Sequence, residues 1–156
     1  MVHKNRTIPI TNQIDIHAAR MYTREYSRVI GMELVDQARV SLATSTLAEC
    51  LRLGASGPGN HYGQVVIQGL ENGSLPGLQI DFEVMAKPVL GTTAEADIQK
   101  TYDCVSSQLN KIQALVDDVQ MEILTSGNLH VRLVKWQGGS AEQLSTSPTF
   151  CEDTKG

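Results

Sequence analysis

Residues 62–85 read YGQVVIQGLENGSLPGLQIDFEVM, and this stretch decides the fold class. Tyr62 to Leu70 and Gly77 to Met85 are rich in Val, Ile, Leu and Phe, as strands are, and the segment Glu71-Asn72-Gly73-Ser74-Leu75-Pro76 lies between them. Asn72-Gly73 is the dipeptide that best tolerates the positive φ of a tight hairpin turn, so the stretch reads as two antiparallel strands.

Upstream the periodicity changes from two to three and four. Ala19, Tyr22, Tyr26, Val29 and Ile30 predict a helix over 15–30 that ends at Gly31, with Asp15 at its start as the cap. Arg20, Arg24 and Arg28 recur every four residues on its other side and form an outward basic stripe. Ala38, Leu42, Ser45 and Cys50, with Ala43, Leu47 and Leu51, predict a second helix over 35–53, where Asp36 complements the positive end of the helix dipole. Before both, Arg6 to Thr11 alternates polar and apolar residues around Pro9, which suits an edge strand. Residues 54–60 are a loop by composition.

Downstream, residues 87–101 are small, polar and weakly periodic, a connection with one helical turn at Ala94–Lys100. Val105, Leu109, Ile112, Leu115, Val116 and Val119 predict a third main helix over 103–118, and strands at 120–124 and 129–136 flank the turn Thr125-Ser126-Gly127-Asn128. The expected order is β-α-α-β-β-α-β-β: an α+β two-layer sandwich, a mixed sheet with its helices on one face. Residues 1–136 make one domain, and 137–156, dominated by Gly, Ser, Thr and charge, read as a disordered tail.

Charge narrows the partners. Of 156 residues, 17 are acidic and 13 basic, and a net charge of −4 disfavours a nucleic-acid groove or an anionic membrane. Residues 1–30 carry five bases against two acids, a local +3, so the first helix is suited to an acidic protein partner; ordinary solvated surface charge is the competing reading. No apolar run is long enough to span a bilayer and no signal-type stretch follows Met1, which gives a cytoplasmic expectation. Cys50, Cys104 and Cys151 lack metal or disulfide-framework spacing and read as free thiols.

Catalytic motifs are absent. The run Gly57 to Gly63 lies between helix and strand, the reverse of a phosphate cradle, and lacks the closing Lys-Ser/Thr. His3, His17, His61 and His130 have no metal spacing and read as surface or turn histidines. The acid pairs Asp117-Asp118 and Glu152-Asp153 are adjacent in sequence, so they read as solvated charges rather than an acid/base pair. Ser45 packs rather than attacks.

Asp15-Ile16-His17-Ala18-Ala19-Arg20, then Gly31, then Val35-Asp36-Gln37-Ala38-Arg39-Val40 and Ser45-x-Leu47-Ala48 resemble the N-terminal half of the bacterial switch-kinase and anti-sigma-factor family. This is the serine-protein kinase branch of the GHKL, or histidine-kinase-like, ATPases, and the stressosome partner-switching kinase is the nearest type. The resemblance extends over most of residues 6–136. It implies the histidine-kinase-like ATPase fold and a place in partner-switching signal transduction.

The resemblance also implies where nucleotide chemistry would sit. The family's second-helix Glu and the Asn four residues later, which activate a water or hydroxyl and hold Mg²⁺, fall on Thr46 and Cys50. Neither side chain can take over those roles, since a hard cation prefers oxygen ligands. The adenine-binding Asp-x-Gly-x-Gly falls on Val84-Met85-Ala86-Lys87-Pro88, so Val84, Ala86 and Pro88 replace the acid and both glycines. No glycine lies in Ser106–Lys111, where the family's phosphate-wrapping loop belongs.

The expected function is therefore a non-catalytic pseudo-ATPase or pseudokinase that binds proteins and uses no cofactor. Its implied partners are a STAS-domain antagonist or a paralogous switch kinase, with homo- or heterodimer formation through the strand near Ile8–Ile10. Arg20, Arg24 and Arg28 are the partner-binding candidates, and Arg20 matches a partner-contact position of the family. The alternatives are an atypical serine-protein kinase that binds ATP and Mg²⁺ in a non-standard way, and a small-ligand module using a cleft lined by Thr46, Cys50, Val84 and Met85.

Overall fold

The computed structural model describes residues 5–51, 61–85 and 93–138. Among them, β1 (Arg6–Ile10) is followed by α1 (Gln13–Val29) and α2 (Leu34–Cys50), the hairpin β2 (Tyr62–Asn72) and β3 (Leu75–Met85), α3 (Ala94–Ser107), α4 (Leu109–Gln113), and the hairpin β4 (Asp118–Ile123) and β5 (Leu129–Trp136). The loop expected at 54–60, the polar stretch 86–92, His3 and the tail from 139 onward, with Cys151, lie outside the described residues.

The sheet order is β1-β2-β3-β5-β4. Every pairing is antiparallel, which corrects the expected mixed sheet. Two helices between β1 and β2 return the chain to the end it left, so those strands pair head to tail. The crossover from β3 places β4 beyond β5, so β3 and β4, which run in the same direction, are kept apart by β5. The architecture is an α+β two-layer one. Ile67, Ile80, Phe82, Val84, Val131 and Leu133 project from the sheet into a core shared with Ala43, Leu47 and Leu51 from the α2 segment and Ile98 and Val105 from α3.

The central hairpin is longer than the sequence reading: Asn72 pairs with Leu75, leaving a two-residue turn with Gly73 at φ +64°. α1 begins two residues before the expected Asp15. Asn12 is the cap and accepts from the Asp15 amide at 3.0 Å, while Asp15 accepts in return from the Thr11 amide at 2.9 Å, a reciprocal box. Gly31, at φ +96°, ends that helical segment as expected.

Three expectations about faces and elements hold only in part. α1 buries Ala19, Thr23, Tyr26 and Ser27, with Val29 exposed. α2 buries Val40, Ala43, Thr44, Leu47 and Ala48, which turns Leu42 and Ala38 outward. The single helical turn at Ala94–Lys100 is a full helix to Ser107, capped by the Thr93 hydroxyl accepting from the Ala96 amide; the helix expected over 103–118 is its second half plus the short α4.

Candidate partner-binding groove

α1 packs along α2, and the outer side of that pair is concave. Arg20, Met21 and Arg24 from α1 face Ala38, Ser41, Leu42 and Ser45 from α2 across a cavity of about 340 Å³. The Arg20 guanidinium donates to Ser45 Oγ at 3.3 Å and bridges the two helices. Met21 and Leu42 are 70% and 55% exposed, so the groove offers two uncovered apolar side chains between two guanidinium groups. Both guanidiniums can take carboxylates in bidentate fashion.

The expected stripe of three arginines is therefore brought together only in part. Arg28 is absent from the groove wall and pairs with Glu25 one turn earlier on its own helix, holding the Glu25 carboxyl below its usual range. Arg6 completes the local basic character from β1, stacked 4.8 Å over the Tyr22 ring. The apolar half of the groove was missed in the sequence because Leu42 was counted on the core face; the set Val40, Ala43, Leu47 points it outward.

The positions where the resemblance places nucleotide chemistry are apolar and mostly closed. Val84 is fully buried, paired across the sheet with Gly63 on one side and Leu129 on the other. Cys50 is buried, and burial, followed by the adjacent Cys104, pushes its thiol up to about 11. Thr46 is half-buried on α2. Met85 lines a separate cavity of about 320 Å³ with Tyr62, Ile98 and Asn128. Ala86 and Pro88 lie outside the described residues.

Three polar clusters escaped the sequence reading. Lys135, expected only as part of a strand, is 1% exposed, with Nζ 3.3 Å from an Asp36 oxygen and 3.6 Å from an Asp117 oxygen. Asp117 also accepts from the Trp136 amide at 2.6 Å, so it is no solvated helix-end charge, and Asp36 does more than face a helix dipole. His61, expected at the surface, is 3% exposed: its Nδ1 is 2.8 Å from the Leu51 carbonyl and its Nε2 3.0 Å from Asp97. On the sheet face away from the helices, Asp81 accepts from Arg132 Nε at 2.7 Å and bonds His130 at 3.0 Å. The first two clusters are sealed in the fold, and the third is a satisfied surface network.

Among the described residues, no group of His, Cys, Asp and Glu is arranged to hold a metal ion, and no helix is long and apolar enough to cross a membrane. The groove lining combines two guanidiniums and two hydroxyls with apolar side chains, groups that can form ion pairs, hydrogen bonds and apolar contacts. No protein-family model matches the chain, and no curated protein is similar to it.

Proposed function

We propose that this protein is a non-catalytic, protein-binding regulator of the partner-switching type: a cytoplasmic pseudokinase on a histidine-kinase-like ATPase frame whose working surface is the α1–α2 groove. The observation that carries this reading is the pairing of Arg20 and Arg24 with the exposed Met21 and Leu42 across one concave surface. Apolar side chains left uncovered beside fixed cations suit an acidic partner that presents its own apolar residue, with charge setting orientation and rate and apolar burial setting lifetime.

The nucleotide positions support the non-catalytic half. Phosphoryl transfer depends on a metal and a positioned base acting together, and Thr46, Cys50 and Val84 supply neither carboxylate nor amide, with two of the three buried. The partner class, a STAS-domain antagonist or a paralogous switch kinase, follows from the sequence resemblance. β1 is an edge strand of the sheet, the position that assembly through Ile8–Ile10 requires.

The test is calorimetric titration of the purified chain with a STAS-domain antagonist encoded beside it, and separately with Mg·ATP. The proposal expects binding of the first, weakened by salt, and none of the second. Micromolar Mg·ATP binding would replace the pseudokinase reading with an atypical kinase.

A further inference from the structure

The backbone that leaves β5 is pinned beside the α1–α2 groove. The Gly138 amide donates to Asp36 Oδ2 at 2.9 Å, and the Gln137 side-chain oxygen accepts from the Glu33 amide at 2.7 Å, so the outgoing chain starts at the first turn of α2. The α2 wall of the groove runs from Ala38, two residues past Asp36, to Ser45. Beyond Gly138 the sequence continues through residues 139–156 with three acids against one base, and it holds the run Phe150-Cys151-Glu152-Asp153. Of the chain's two phenylalanines, Phe82 is fully buried in the core, and Phe150 is the other.

We propose that the α1–α2 groove is a docking site for residues 150–153 of its own chain, with the Phe150 ring on Met21 and Leu42 and the carboxylates of Glu152 and Asp153 on Arg20 and Arg24. Among the described residues, Arg20 and Arg24 have no carboxylate partner, whereas Arg28 is engaged by Glu25. Met21 and Leu42 are 70% and 55% exposed between those two cations. An aromatic ring followed closely by two acids supplies what each half of the groove lacks: apolar cover for the one, anions for the other.

The connecting chain is long enough. Asp36 and Ser45 are nine residues apart on α2, about 14 Å along the axis, and passage round the helix adds no more than about its own diameter of 10–12 Å. Residues 139–149, the eleven between the Gly138 anchor and the ring, span up to about 36 Å when extended. The tether makes docking intramolecular, so a free competitor meets the segment at a raised effective concentration. On the function proposed above, an acidic partner gains the groove only by displacing residues 150–153.

The full chain carrying p-benzoylphenylalanine in place of Phe150 is irradiated, digested and mapped by mass spectrometry, with labelled and unlabelled chains mixed to separate contacts within a chain from those between copies. The expected cross-links join position 150 to Met21 or Leu42 of the same chain. Salt at about 1 M, which screens charges beyond about 3 Å, should cut their yield at least about threefold. Glu152→Lys with Asp153→Lys should do the same, and adding Arg20→Glu with Arg24→Glu to that variant should restore the yield, because the charges are complementary again. The proposal is overturned if the cross-links fall elsewhere on the chain, join labelled to unlabelled copies or do not form, if the two-lysine variant cross-links as well as the unaltered segment, or if the four-site variant stays as low as the two-lysine one. The two-lysine variant changes no residue of the described fold, so it decides even if the four-site variant fails to fold. No partner is present, so failure of the docking and failure of the function proposed above are read separately.

Discussion

Lys135 Nζ lies 3.3 Å from the Asp36 carboxylate, tying the end of β5 to the first turn of α2. With Asp117 at 3.6 Å on the other side, the ammonium is held between two acids and nearly excluded from water. Removing one member of such a group leaves uncompensated buried charge. Lys135→Met is therefore expected to cost about 3–5 kcal/mol in urea unfolding, because two carboxylates lose their cation. The triple variant Lys135→Met, Asp36→Asn, Asp117→Asn should recover a large part of that loss, and additive losses across the three sites would contradict the coupling.

Two carboxyls make opposite contributions to the pH dependence of stability. Asp15 is held below its ordinary value of 3.8, first by the Thr11 amide, so its stabilisation is present above that value and lost as pH falls through the folded one. Asp117 is raised above 3.8, mainly by burial, with the Trp136 amide and Lys135 pulling partly back, so its contribution is most favourable at low pH and shrinks as pH rises through the folded value. Melting temperatures measured between about pH 3 and 6 should therefore show the loss caused by Asp15→Asn fading toward the acid end, while the stability of the wild type relative to Asp117→Asn is greatest at the acid end and falls as pH rises.

Leucines 42 and 47, little more than a turn apart on α2, separate binding from folding. Leu47 is fully buried and Leu42 is 55% exposed. Leu47→Ala should cost about 2–5 kcal/mol as the cavity term adds to lost transfer energy. Leu42→Ala should change stability by less than about 0.5 kcal/mol, yet weaken partner binding if the groove is the contact surface.

The arginines separate in the same way. Arg20 and Arg24 line the groove, while Arg28 is engaged by Glu25. Arg20→Glu with Arg24→Glu should abolish the salt-sensitive part of association and slow its on-rate, whereas Arg28→Glu should leave both nearly unchanged.

What could be read from the chain was what repeats along it. The Asn72-Gly73 turn, Gly31 and the alternation of β5 identified their elements because each signal is local. Leu42 was misplaced because α2 is apolar on more than one side, so its period does not choose a face until the sheet does. α3 was shortened because its helix-forming information lies in the Thr93 cap and in Ile98, Thr101 and Val105, a face too polar to stand out in the sequence. His61, Asp117 and Lys135 were missed for a different reason. A buried charge is tolerated only beside its partner, and Asp36 and Asp97 are distant in sequence. The basic half of the groove was legible from the i, i+4 arginines; which of them would face α2 was settled by packing.

The central claim is that the α1–α2 groove binds a protein partner and that this needs no nucleotide. It is tested most directly by titrating a purified STAS-domain antagonist into the wild-type chain and into the Arg20→Glu, Arg24→Glu variant, with and without Mg·ATP. The account predicts saturable binding to the wild type that is indifferent to Mg·ATP and at least about tenfold weaker in the variant, a loss of about 1.4 kcal/mol or more. Equal binding by both proteins, or binding that requires Mg·ATP, would contradict it.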